Sequence, residues 1–180
     1  MISLILDLLR RRILKKNASD IPTGLLPMSD IKSANFVIDV SETGFDLLKE
    51  DILAWGRSND IKTNIYFFDF RKLGQDELLL TSIHTTIIRR ELNWIGVPPK
   101  DKIAALTDEK SDLFVSLISN GDFPIDYISR CTKARFKIGR TAYKGHPFDL
   151  TVSGNSAEDL RSDAREIFEA MTELISKISK

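Results

Sequence analysis

The residues that could do chemistry gather where apolar runs end. The first such run, ANFVIDV (34–40), contains Asp39 and leads into Ser41, Glu42, Thr43 and Gly44. A carboxylate near a hydroxyl could act as a general base. SETG at the start of a helix could also hold an anion on free backbone N–H groups. The same four residues argue against a phosphate: they hold one glycine and no basic partner, and the Glu42 carboxylate would repel it. They match neither G-x-G-x-x-G nor the phosphate loop that ends in Gly-Lys-Ser/Thr. Dinucleotide and ATP binding are therefore not expected, and no cofactor is assigned. Asp39 is costly inside an apolar strand unless it is paired. Arg71 or Arg140 is the expected partner, and a structural role outweighs that of a general base.

Further polar residues close the later runs. Asp69 and Arg71 end IKTNIYFFDF (61–70), and Ser119, Asn120, Gly121 and Asp122 end SDLFVSLIS (111–119). Gly139 and Arg140 end RFKIGR, and Ser153, Gly154 and Asn155 end HPFDLTVSG. Ligands of open α/β sheets bind beyond the carboxyl ends of the strands. A ligand cleft would thus draw on Ser41, Glu42, Thr43, Asp69, Ser119, Asn120 and Arg140. Short polar residues and glycines also dominate ordinary turns, which is the simpler reading of the same positions. Cys131 reads as a small buried side chain. His84 and His146 stand in no metal-ligand spacing, so no metal is expected. Trp94, in ELNWIG, reads as a lid over the core.

The elements that must position these residues alternate. ANFVIDV is a compact buried strand. SETGFDLLKEDILAWGRSND is a helix, with Ser41 or Thr43 as its cap and Leu47, Leu48, Ile52, Leu53 and Trp55 at helical spacing. IKTNIYFFDF is β-branched and aromatic, hence a strand. Together they have the size of a βαβ crossover. A strand is predicted near 83–88, a short helix over 101–110, a core strand at SDLFVSLIS, and a short helix in FPIDYISRCTKA. RFKIGR and HPFDLTVSG are strands. The chain ends in a long amphipathic helix capped by Ser156, with Leu160, Ala164, Ile167, Met171, Leu174 and Ile178 on its apolar face. Only residues 141–145 separate RFKIGR from HPFDLTVSG, fewer than a parallel crossover between neighbours needs, so a hairpin is expected there. The pattern predicts an α/β three-layer sandwich with a mixed, mostly parallel Rossmann-like sheet and an antiparallel edge pair.

The totals fit one domain. The chain has 180 residues, 42% hydrophobic and 29% charged, which is ordinary for a soluble globular protein. Its 26 basic and 26 acidic residues balance, which argues against nucleic acid as a partner. A single cysteine gives no internal disulfide, and a cytoplasmic location is expected. The domain plan is an amphipathic basic helix over 1–16, an extended linker over 17–33, and one α/β domain over 34–180.

MISLILDLLRRRILKK begins apolar and turns basic, the reverse of a secretory signal. Its apolar stretch is too short to span a membrane. Ile2, Leu4, Ile5, Leu6, Leu8 and Leu9 spread around well over half of the helix, so a covering surface is expected on more than one side. That surface would be a twin subunit or another protein, with Arg10, Arg11, Arg12, Lys15 and Lys16 at the rim. A membrane surface is the lesser expectation, because no aromatic anchor accompanies the helix.

KSANFVIDVSETGFDLLKEDILAWGRSNDIKTNIYFFDF, ELNWIG and DLFVSLISNGDFPIDYISRCTKARFKIGR together resemble a family of uncharacterised bacterial single-domain α/β proteins. The resemblance covers roughly residues 30–175 and implies one compact domain with no known activity. DLFVSLIS…YISRCTKARFKIGR also resembles, faintly, the strand–helix–strand of the heptosyltransferase N-terminal domain. That family's Ser-x-x-Gly-Asp is interrupted here, where Phe45 stands between Gly44 and Asp46, and a second domain to hold a sugar nucleotide has no room. The function expected is a non-catalytic interaction or binding module. The alternative is an enzyme or sugar-binding domain that shares its scaffold with glycosyltransferase N-terminal domains.

Overall fold

A computed structural model describes residues 2–71, 81–82, 84–152 and 163–179. In chain order the elements are α1 (Ile2–Asn17), β1 (Ser33–Asp39), α2 (Phe45–Ser58), β2 (Lys62–Asp69), β3 (Thr86–Ile88), α3 (Lys100–Thr107), β4 (Ser111–Ser116), α4 (Phe123–Cys131), β5 (Ala134–Gly139), β6 (Leu150–Thr151) and α5 (Ala164–Lys177). The strands form one sheet in the order β3-β2-β1-β4-β5-β6, and every pairing is parallel. This is the order of the doubly wound dinucleotide-binding sheet, whose winding reverses between β1 and β4.

Strands buried on both faces read as continuous apolar runs, and β1 shows why. Phe36 and Ile38 pack into one core with α2 and α5, while Val37 packs into the other with α3 and α4. Register places Ala34 beside Thr63 of β2 and Leu113 of β4. An aromatic triad pins the first core: Phe36 meets Trp55 and Phe168 edge-on, each at 5.9 Å, and those two meet at 6.3 Å. Each such pair contributes about 0.5–1.5 kcal/mol beyond its buried area.

Among the described residues the expected antiparallel edge pair is absent, because β6 runs parallel to β5. The length rule for crossovers assumes a strand that starts again at the far end of the sheet. β6 instead has two residues, set beside Ile138 and Gly139 at the carboxyl end of β5. The chain needs only to swing out and return by a short distance. Gly145 and His146, both at positive φ, make that turn. Asp149 then ties it down by donating its backbone N–H to the Lys137 carbonyl and accepting the Lys137 N–H on its carboxylate, at 2.9 and 2.8 Å. Phe148 lies directly over Gly139, where a Cβ would come within 2.2 Å of the ring.

Three local expectations also change. α2 has Gly44 at its N-cap in the left-handed region, with no side-chain cap from Ser41 or Thr43. α5 begins at Ala164 and is capped by Asp163, whose carboxylate accepts the Arg165 N–H; Ser156 and Leu160 lie outside the described residues. Its buried face is Ala164, Ile167, Phe168, Met171 and Ile175, with Leu174 40% exposed, not buried. One hundred degrees per residue centres this face on the line of Ala164, Met171 and Ile175 and puts Leu174 at its edge, just beyond Ile167.

α1 lies against α4. Ile13 and Leu14 reach the second core, and Arg10 stacks over Phe123 with its guanidinium carbon 4.6 Å from the ring centre. Leu4, Ile5 and Leu8 are left exposed. Residues 18–32 then run along the domain: Ser19 donates to the Arg130 carbonyl, Gly24 to that of Arg135, and Leu26 and Ile31 are buried.

Candidate functional site

In a doubly wound sheet the ligand crevice opens where the winding reverses, beyond the carboxyl ends of β1 and β4. The turn after β1 brings Ser41 back onto Asp39. The Asp39 carboxylate accepts the Ser41 backbone N–H at 2.8 Å and its hydroxyl at 2.6 Å. This local turn is the carboxylate's partner, in place of the distant arginine expected from sequence. Asx turns of this kind satisfy a carboxylate within two residues.

Glu42 points the other way, across the reversal. Arg140, from the end of β5, donates Nη1 to both of its oxygens at 2.8 Å and to the Leu117 carbonyl at 3.1 Å. Ser119, after β4, donates its hydroxyl to the same carboxylate at 3.2 Å. Thr141 lies 3.0 and 2.9 Å from the carbonyls of Ile118 and Ser119. Three strand ends are thereby tied together across the place where a ligand would enter. The fold joins Ser119, Glu42 and Arg140, residues nearly one hundred positions apart, as the sequence pattern suggested.

The other candidates stand apart. Asp69 is fully buried at the end of β2 and is held by Arg71 through Nε at 2.8 Å and Nη2 at 2.6 Å. The hydrogen bond from Arg71 keeps its carboxyl below the usual carboxylate range. Asn120 accepts the Asp122 N–H on its side chain and the Tyr143 hydroxyl on its backbone, so it shapes the turn into α4. Thr43 is exposed and makes no side-chain hydrogen bond among the described residues. Ser153, Gly154 and Asn155 lie outside the described residues.

Another opening lies elsewhere. A cleft of about 750 Å³ runs between α1 and α4, with Arg10, Arg11, Lys15, Arg130 and Lys144 on its walls. A smaller one of about 220 Å³, beside Phe70 and Leu92, shares Arg10 and Phe123 with it. Sequence reasoning missed this cleft because it read the α1 cations as a rim and had no signal bringing residues 130 and 144 to them. Trp94 also differs from expectation: it is 74% exposed, on the loop whose Ile95 carbonyl accepts Arg10 Nε at 2.9 Å. Asn93, not packing, fixes that loop by accepting the N–H groups of Ile95, Gly96 and Val97.

Two buried groups under α4 are structural. Lys137 donates Nζ to the Ser129 carbonyl at 2.8 Å, closing the last turn of the helix, and burial pushes its ammonium down to about 8. Cys131 is buried, and burial pushes its thiol up to about 11, away from a nucleophilic thiolate. Among the described residues no three His, Cys, Asp or Glu side chains gather to hold a metal ion. Among them, too, no helix is long and apolar enough to cross a membrane.

No curated protein and no solved structure matches the chain. Residues 7–174 match the model of a Family of unknown function (DUF6913), and the chain belongs to that family.

Proposed function

We propose that this protein is a non-catalytic binding module of the cytoplasm, a three-layer α/β domain that pairs with a second copy of itself through α1. The observation that carries the reading is the exposed row Leu4, Ile5 and Leu8, 70%, 52% and 58% accessible on a helix whose opposite side is already fixed to the domain. Large apolar side chains clustered within two turns signal an unfilled interface. The row occupies only the first half of α1, and Arg11, Arg12, Lys15 and Lys16 occupy the exposed second half. Two copies meeting antiparallel would bury leucine on leucine and carry both basic halves beyond the contact. A two-fold interface of that kind is self-complementary and closes. Overall neutrality lets two copies approach without long-range repulsion.

The competing reading places a sugar or other small ligand in the crevice of Ser41, Glu42, Thr43, Asp69, Ser119, Asn120 and Arg140. It would require opening a pair in which Arg140 and Glu42 already satisfy each other. Sedimentation of the full chain against a Leu4→Ser, Leu8→Ser variant tests the proposal. A dimer that becomes a monomer in the variant, with the circular dichroism of the folded domain unchanged, is expected. Two monomers, two equal dimers, or vesicle binding lost in the variant without any dimer would overturn it.

A further inference from the structure

We infer that the cleft between α1 and α4 binds a phosphate-bearing anion, presented either by a free phosphorylated small molecule or by a lipid headgroup. Its volume, about 750 Å³, suits a small-molecule ligand. Five cations line it against two carboxylates, Asp7 and Asp126. Asp126 is engaged by Arg130 Nε at 2.7 Å. Leu14 and Phe123 supply apolar wall.

Two of the cations are arginines held in place before any ligand arrives. Arg10 is fixed by the Ile95 carbonyl and the Phe123 face, and its two terminal nitrogens have no acceptor among the described residues. Arg130 donates Nε to Asp126 and Nη2 to the Lys144 carbonyl, which leaves Nη1 without an acceptor there. Each guanidinium lies against a glycine at positive φ. A Cβ at Gly96 would stand 3.4 Å from Arg10 Nη2 and 3.1 Å from the Phe123 ring. One at Gly145 would stand 3.3 and 3.4 Å from the terminal nitrogens of Arg130. A side chain at either glycine would be strained by the positive φ and would crowd an arginine of the same cleft. The Arg11, Lys15 and Lys144 side chains make no ion pair or hydrogen bond among the described residues. Fixed planar forks with spare donors, backed by free ammonium groups, are the chemistry that recognises phosphate oxygens.

Calorimetric titration of the full chain with inorganic pyrophosphate provides one arm of the test. Flotation with phosphatidylcholine vesicles, with and without phosphatidylglycerol, provides the other. Arg11→Glu with Lys15→Glu changes two exposed cleft residues, and Lys32→Glu with Lys62→Glu makes the same charge change on exposed residues elsewhere. The expected result is saturable binding of one probe, weakened at least about ten-fold by the cleft pair and little by the control pair at equal ionic strength. Binding in the first arm assigns a soluble ligand, and binding in the second alone assigns a headgroup. Leu4→Ser with Leu8→Ser leaves pyrophosphate binding intact, which separates this site from the dimer contact. Failure of both probes, or equal weakening by the two charge-reversed pairs, overturns the inference.

Discussion

Removing the Glu42 carboxylate tests whether the crevice at the winding reversal is closed by design of the fold. The Arg140 side chain is 8% exposed and that of Glu42 21%, so neither charge is fully solvated. Both Glu42 oxygens receive Arg140 Nη1 at 2.8 Å, and Ser119 adds a third donor. Glu42→Ala removes from a buried guanidinium the carboxylate that takes two of its hydrogen bonds. Breaking such a pair costs about 3–5 kcal/mol, and the partial exposure of Glu42 selects the lower end, about 3 kcal/mol. In a chain of this length each kcal/mol lowers the melting temperature by about 2–4 °C, so a fall of about 6–12 °C is expected. Arg140→Met should also destabilise, and the double variant should lose less than the two singles together, with a coupling of at least about 1 kcal/mol. Urea and thermal unfolding of the four proteins measure the cycle. A Glu42→Ala loss below about 0.5 kcal/mol would place the pair among ordinary surface ion pairs and refute the closed-crevice reasoning.

Gly139→Ala should cost about 1–3 kcal/mol in urea unfolding, because the added Cβ meets a Phe148 ring already packed against Phe114 and Tyr143; Phe148→Leu in the same chain should restore part of the loss. Met171→Ala should cost about 2–5 kcal/mol while Leu174→Ala costs well under half of that, since Met171 is 1% and Leu174 40% exposed; equal losses would mean that α5 is rotated from the face described. Lys137 has a folded value of about 8, below its ordinary 10.5, so the penalty for its charged form is complete below pH 8 and is relieved as pH rises toward 10.5. Stability should therefore rise above pH 8 by up to about 1.4 kcal/mol per pH unit relative to a Lys137→Met variant, read from urea midpoints below pH 9, where ordinary thiols begin to ionise.

The sequence exposed the parallel core clearly and the edge poorly. β1, β2, β4 and β5 are apolar runs dense in branched and aromatic side chains, and burial on both faces leaves that mark. β6 has no such mark, since two residues beside Ile138 and Gly139 carry no periodicity, and its direction depends on the Gly145–His146 turn and the Phe148 wedge. The grouping of Glu42, Ser119 and Arg140 was legible because the ends of parallel strands must share one edge of the sheet. The partner of Asp39 was not, because an Asx turn and a long-range arginine contact satisfy a carboxylate equally well on paper. Leu174 and Trp94 were misread for one reason: apolar type alone does not fix which side of an element faces the core.

The direction of α1 links the two proposals. Arg10 stacks on Phe123 at the start of α4, and Ser19 donates to Arg130 near its end, so the two helices run the same way. Leu4, Ile5 and Leu8 precede Arg10 by up to six residues. At 1.5 Å per residue that carries the exposed row up to about 9 Å past the first turn of α4. This is the end of the sheet at which β4 gives way to the turn of Ser119 and Asn120. Exposed Trp94 adjoins it through the Ile95–Arg10 bond. The molecule thus keeps its exposed apolar row near the carboxyl end of the strands, with the cationic cleft running from there along α4, while Glu42 and Arg140 tie the crevice between β1 and β4. On both proposals binding lies to the side of it, at the corner where α1 meets α4. On the proposed pairing, a copy seated on Leu4, Ile5 and Leu8 would stand beside the mouth of the cleft that Arg11 and Lys15 line without contributing to it, so loss of the dimer should leave anion binding in place.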